Sequence, residues 1–137
     1  MNTRNKGALA EYRFISTAIG LDLKVLTPAV EGYAYDCVID NGESFYRIQV
    51  KYASRNKRIA SSFSAMVHRT NSTHKQQFSQ YTAKEVDYFA IYIWYIDTFF
   101  IIPLSAVPGS SIHLNLANEK NQYTRYKNNW KQLLRRR

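Results

Sequence analysis

The stretch YDCVIDNGESFYRIQVKYA, residues 35–53, reads as two strands of alternating character meeting at Asn41-Gly42, the dipeptide that most strongly favours a two-residue hairpin turn. With that turn Asp36 faces Arg47. Strand alternation then puts Asp36, Val38, Arg47, Gln49 and Lys51 on one side and Cys37, Ile39, Tyr46, Ile48 and Val50 on the other. Gln49 becomes the diagonal neighbour of Asp36, roughly 7–8 Å away and within reach of long side chains. A carboxylate, an amide oxygen and the backbone carbonyl of Val50 form an oxygen-rich set suited to a hard cation such as Mg²⁺, and Lys51 adds a positive charge beside it. Phosphodiester hydrolysis needs an activated water, neutralisation of charge on the phosphate oxygens and protonation of the leaving oxygen. A lysine two residues after the amide can hold or polarise that water. The same residues also allow a plainer arrangement, with Asp36 in a cross-strand ion pair with Arg47 or Lys51 and Gln49 facing solvent. Spacing alone leaves both open.

Working outward, Ala8, Leu9, Tyr12, Ile15, Ala18 and Ile19 recur at helical spacing between Thr3, a candidate N-cap, and Gly20, a candidate stop. DLKVLTP then alternates as a short strand ending at Pro28. Residues 59–68 have β character, and the polar stretch that follows predicts a helix around Gln76 to Lys84. VDYFAIYIWYIDTFFIIPL is β-branched and aromatic, and Asp97 divides it into two runs too short for helices, hence two core strands. VPGSS is a loop by composition, and Tyr123, Tyr126, Trp130 and Leu133 fall on one face of a predicted basic C-terminal helix. The order helix, three strands, helix, two strands, helix describes an α/β (α+β) fold in which helices flank a central mixed β-sheet. No internal repeat interrupts it.

With 137 residues, of which 45% are hydrophobic, the chain suits one domain over residues 1–137. Lys and Arg number 19 against 10 Asp and Glu, a net charge of +9, which fits a polyanionic partner. Nucleic acid is favoured over a membrane surface, because no apolar run approaches the roughly 18–20 residues of a membrane span. The N-terminal residues lack the apolar stretch of a signal peptide, so a cytoplasmic location is expected. The lone Cys37 cannot make an internal disulfide and reads as a small buried strand residue.

An acidic residue at the start of one strand, followed on the next strand by a carboxylate or amide, any residue and a lysine, resembles the PD-(D/E)XK nuclease superfamily. Here the elements are Tyr35-Asp36 and Gln49-Val50-Lys51, with Glu11 in GALAEYRF resembling the glutamate of the family's first helix. The chain departs from the pattern twice: Tyr35 stands at the proline position, and Gln49 replaces an acid. KGALAE, RIQVKYA and the late pair DYFAIYIW and TFFIIPL resemble in particular the small homing endonucleases of bacterial group I introns, over nearly the whole chain. The resemblance implies a restriction-endonuclease-like core and Mg²⁺-dependent double-strand cleavage of a long DNA site, with Mn²⁺ as an alternative ion. It also implies a site in which Asp36, Glu11, Gln49 and the Val50 carbonyl hold the metal while Lys51 positions the water.

Cutting both strands with one centre per chain requires a homo-oligomer, a dimer at minimum or a dimer of dimers. The aromatic residues Trp94, Tyr95, Phe99, Phe100, Tyr123, Tyr126 and Trp130 would serve either that assembly or the core. Arg55, Lys57 and Arg58 lie close after Lys51, and His68, Arg69, Asn71, His74, Lys75, Gln76 and Gln77 follow. Arg pairs with guanine and Asn or Gln with adenine in the major groove, whereas Ser, Thr and Lys mostly grip phosphates. This middle segment is the expected reader of double-stranded DNA, and the final Arg-Arg-Arg is expected to neutralise phosphates or to fray. Two rival readings are a Holliday-junction resolvase of the same fold and a basic nucleic-acid-binding module without chemistry.

Overall fold

Helix α1 spans Thr3–Gly20, but the face it buries is Ala10, Phe14 and Ala18, while Tyr12 and Ile19 of the expected apolar face are exposed; the computed structural model describes residues 1–70 and 78–136. Asn2, not Thr3, is the N-cap: its side-chain oxygen accepts the Asn5 N–H at 2.8 Å. The strands are β1 Lys24–Leu26, β2 Cys37–Asp40, β3 Phe45–Tyr52, β4 Ser54–Arg55, β5 Ser62–Met66, β6 His68–Thr70, β7 Phe78–Gln80, β8 Tyr88–Ile93, β9 Thr98–Pro103 and β10 Ser111–Asn115. The central sheet is mixed, in the order β1-β2-β3-β8-β9, and β3 and β8 are its parallel pair. A second sheet runs β10-β5-β4, and β6 pairs with β7 alone. The architecture is α+β, built on the mixed sheet that the sequence predicts.

The apolar run of β8 and β9 is continuous because the central sheet is covered on both faces. On one side Ala90, Tyr92, Phe99 and Ile101 pack with Cys37, Ile39, Ile48 and Val50 against Ala10, Phe14 and Ala18 of α1. On the other, Phe89, Ile91, Ile93, Phe100 and Ile102 pack against Phe63, Ala65, Ile112 and Leu114 of the second sheet. Asp97, with φ 47°, turns the chain between β8 and β9, where the sequence places the break. The fully buried Cys37 is the small strand residue expected.

Three further expectations are corrected. The β2–β3 connection has four residues, Asn41 to Ser44, because Asp40 pairs with Phe45. The Asn41 side chain accepts N–H groups from Glu43 at 2.9 Å and Ser44 at 2.8 Å and donates to the Leu133 carbonyl at 3.0 Å, so it is committed to closing a longer loop. Val38, rather than Asp36, therefore faces Arg47. The register moves by two residues, which leaves every side chain on its expected face. Second, the helix expected around Gln76 to Lys84 is absent over its described part: residues 76 and 77 lie outside the described residues, and Phe78–Gln80 is strand β7.

Third, the C-terminal segment is not an α-helix but two 3₁₀ turns, Thr124–Tyr126 and Trp130–Leu133. Asparagine side chains compete for its backbone: Asn121 accepts the Tyr123 N–H at 2.9 Å, Asn118 accepts the Lys120 N–H at 3.0 Å, and Asn128 sits at φ 52°. Tyr123, Trp130 and Leu133 are still buried. Trp130 stacks on Phe14 at 4.8 Å and meets Phe99 edge-on at 5.9 Å, so this segment straps α1 to the sheet. Trp130→Ala is expected to cost about 3–5 kcal/mol, read from urea unfolding monitored by far-UV circular dichroism.

Candidate active site

Strand β3 outruns β2. The Asp36 N–H donates to the Ile48 carbonyl at 2.8 Å, the last backbone bond of this pairing, while β3 continues to Tyr52. Backbone groups of residues two apart point the same way in a strand, so the N–H and C=O of Val50 are aimed where β2 is missing. The Asp36 carboxylate takes that N–H at 2.7 Å. The Val50 carbonyl, directed to the same side, faces a cleft of about 750 Å³ lined by Glu11, Asp36, Gln49, Val50 and Lys51.

Each side chain reaches the cleft from a different element. Glu11 projects from α1 and hydrogen-bonds Asp36, a contact that favours the protonated form of Glu11. Burial, the Asp36 charge and that hydrogen bond push Glu11 up from 4.5 to about 7. Burial also raises Asp36, against the Val50 N–H, the Glu11 contact and the charge of Lys51, which pull it down. Lys51 is lowered by burial, and Asp36 opposes that shift.

Gln49 is 7% exposed. Its Nε2 donates to the Ala34 carbonyl at 2.9 Å and to the Tyr81 hydroxyl at 2.8 Å, and this fixes which end of the amide is oxygen. Its Oε1 is buried and has no hydrogen-bond partner among the described residues, a state that costs stability unless something else uses the oxygen. Among the described residues no three His, Cys, Asp or Glu side chains cluster. An ion here would be held by two carboxylates, an amide oxygen and a carbonyl, a hard oxygen set that suits Mg²⁺ or Mn²⁺.

The model of the PD-(D/E)XK endonuclease family matches residues 1–133. This chain belongs to that family. It is a nuclease, a hydrolase acting on DNA, and PD-(D/E)XK nucleases generally use divalent metal ions. Its fold matches that of a bacterial homing endonuclease, I-Ssp6803I, with a TM-score of 0.85, 24% sequence identity and coverage of 98% of this chain and 94% of the other. No curated protein sequence matches it.

Of the positions that this PD-(D/E)XK chain's sequence singles out, Glu11, Asp36, Gln49, Val50 and Lys51 meet in one cleft. Arg47 does not; it pairs with Asp87 at 3.0 Å and donates to the carbonyls of Ala83 and Lys84, so the ion pair Asp36–Arg47 is overturned. Arg55 lies at the cleft mouth. Its Nε donates to the Ala60 carbonyl at 2.8 Å, and its guanidinium lies 4.4 Å from the Tyr95 ring centre and 5.8 Å from those of Trp94 and Phe63. Trp94 and Tyr95 are exposed, while Phe99, Phe100, Tyr123 and Trp130 are core.

Lys57 and Arg58 are exposed between β4 and β5, His68 approaches the Ser110 carbonyl at 3.3 Å, and Arg69 lies in β6. Asn71, His74, Lys75, Gln76 and Gln77 lie outside the described residues. Arg135 pairs with Glu43 at 2.9 Å. Sequence reading missed Thr3, Lys6 and Gly7, which line the cleft from α1, although positions 3, 7 and 11 form one helical stripe and Glu11 could have pointed back along it.

The raised Glu11 pKa fixes a pH dependence. Its contribution to stability is full below about 4.5 and is lost as pH rises through about 7. In chelator the melting temperature of the wild type is expected to fall between pH 4.5 and 7, and Glu11→Gln should flatten that fall.

Proposed function

We propose that this nuclease is a homing endonuclease, like those of bacterial group I introns that its sequence resembles, making a Mg²⁺-dependent double-strand break at a specific site in a long duplex. The observation that carries the reading is the convergence on one cleft of the Glu11 and Asp36 carboxyl groups, the unpartnered Gln49 oxygen and Lys51. The fold shared with a bacterial homing endonuclease supports it.

Asp36, Glu11, Gln49 Oε1 and the Val50 carbonyl would hold the divalent ion. When bound, the ion supplies a polarised water and neutralises charge on the phosphate. Asp36 is held in place by the Val50 N–H, so its carboxylate keeps its position with no long side chain to immobilise. With an ion held there, both Glu11 and Asp36 would be ionised, since metal-ligating carboxyl groups bind deprotonated. Lys51, whose charged form Asp36 favours against the burial that lowers it, orients the attacking water and offsets the negative charge that grows on the phosphate oxygens. Water adds across one P–O bond, and the leaving oxygen takes up a proton.

Two protomers related by a two-fold axis would cut the two strands, as one centre per chain requires. Arg55, Lys57, Arg58, His68 and Arg69, with Asn71, His74, Lys75 and Gln76, would carry the DNA contacts. The decisive experiment is incubation with Mg²⁺ and a randomised duplex library, with sequencing of the cut ends. One recurrent duplex cut on both strands is expected; cutting of four-way junctions of any sequence in preference to duplex overturns the homing reading in favour of a resolvase.

Lys51→Ala should lower the cleavage rate by about 10³-fold while duplex binding in calcium persists. Titration of the ion by calorimetry should show Gln49→Glu binding at least as tightly as wild type and Gln49→Ala more weakly; unchanged titrations in both would remove residue 49 from the site. Arg55→Ala should reduce the salt dependence of duplex binding by about one phosphate contact, measured by fluorescence anisotropy across a potassium chloride series.

A further inference from the structure

Glycine inside a helix interior is disfavoured relative to alanine, so a helical glycine needs a reason. Gly32 and Gly42 hold positive φ, at 100° and 91°; Gly20 ends α1 and Gly109 lies in a loop. Gly7 has none of these excuses. It lies in the second turn of α1, half-buried, and a Cβ built on it would meet no heavy atom within 4 Å. Packing within the protein therefore does not demand a glycine there.

The empty volume has an address. Gly7 lines the cleft that holds Asp36, Gln49 and Lys51, one helical turn before Glu11 and on the same face of α1. Lys6, beside it, also lines the cleft. Its ammonium lies 5.7 Å from the Tyr52 ring centre, and it makes no salt bridge among the described residues. A wall without a side chain next to a free cation is what a phosphate backbone needs in order to come within van der Waals distance of a helix.

We propose that Gly7 is a close-approach position, where the sugar–phosphate backbone of the DNA strand being cut lies directly against α1 and Lys6 grips one of its phosphates. The inference rests on the nuclease reading of the same cleft. A methyl group at residue 7 would push that strand away from Glu11, Asp36 and Lys51, and a displacement of about 1 Å costs on the order of 100-fold in rate.

Gly7→Ala makes stability and activity move in opposite directions. The variant should melt about 2–5 °C higher than wild type, because alanine favours the helix and meets nothing. In single-turnover cleavage, with Mg²⁺, of the duplex that the wild type selects from a randomised library, it should be about 10- to 100-fold slower. Gly20→Ala, the same substitution at the far end of α1 and outside the cleft, should cut at the wild-type rate. Lys6→Ala should reduce the salt dependence of duplex binding by about one phosphate.

Gly7→Ala that cuts as fast as wild type overturns the inference, and so does a variant that melts lower, since the space would then not be open. A wild type that cuts no duplex overturns the nuclease reading and this inference with it. Wild-type cutting matched by Gly7→Ala overturns this inference alone.

Discussion

The hydrogen bond from the Val50 N–H to the Asp36 carboxylate, 2.7 Å long, joins the fold to the chemistry. A backbone N–H at a sheet edge inside a folded protein must find an acceptor, and here the acceptor is a carboxylate, where a continuing strand β2 would have supplied a carbonyl. The sheet thereby fixes Asp36, and the gap left by the missing strand becomes the cleft. Glu11 reaches that gap because α1 packs Ala10, Phe14 and Ala18 onto Cys37, Ile39, Ile48 and Val50.

The charged side chains of the cleft are Glu11 and Asp36 on the acidic side and Lys6, Lys51 and Arg55 on the basic side. Burial and the Asp36 charge favour the protonated form of Glu11, and the charge of Lys51 favours the ionised form of Asp36. A third carboxylate at position 49 would add repulsion in a place where burial already disfavours ionisation. The amide of Gln49 offers an oxygen without charge, and its nitrogen ties down Ala34, two residues before Asp36. Glutamine is thus compatible with both halves of the local structure: the core beneath, through Tyr81, and the loop that delivers Asp36.

Much of this site was legible because strands alternate. Asp36, Gln49 and Lys51 are separated by steps that keep them on one side of a hairpin, and a register error of two residues leaves that parity intact. The error itself was invisible locally: Asn41-Gly42 favours a tight turn, and the interaction that recruits Asn41 elsewhere, its bond to the Leu133 carbonyl, crosses 92 residues. The C-terminal segment hides its form in the same manner: its buried face shows in the spacing of Tyr123, Trp130 and Leu133, while Asn118, Asn121 and Asn128 draw its backbone away from a helix. Strand β10 carries the alternation Ile112, Leu114 but is too short to stand out without its partner β5.

The sequence alone determined the alternating faces of the hairpin, the extent of the first helix and the two central strands, because each follows from periodicities of two or of 3.6 that neighbouring residues express by themselves. Tertiary structure decided which carboxylate meets which, how Arg47 is drawn to Asp87, that a second sheet covers the face opposite α1, and that Gly7 borders the cleft. Those outcomes depend on contacts between segments distant in the chain, and a local pattern contains no information about its partner.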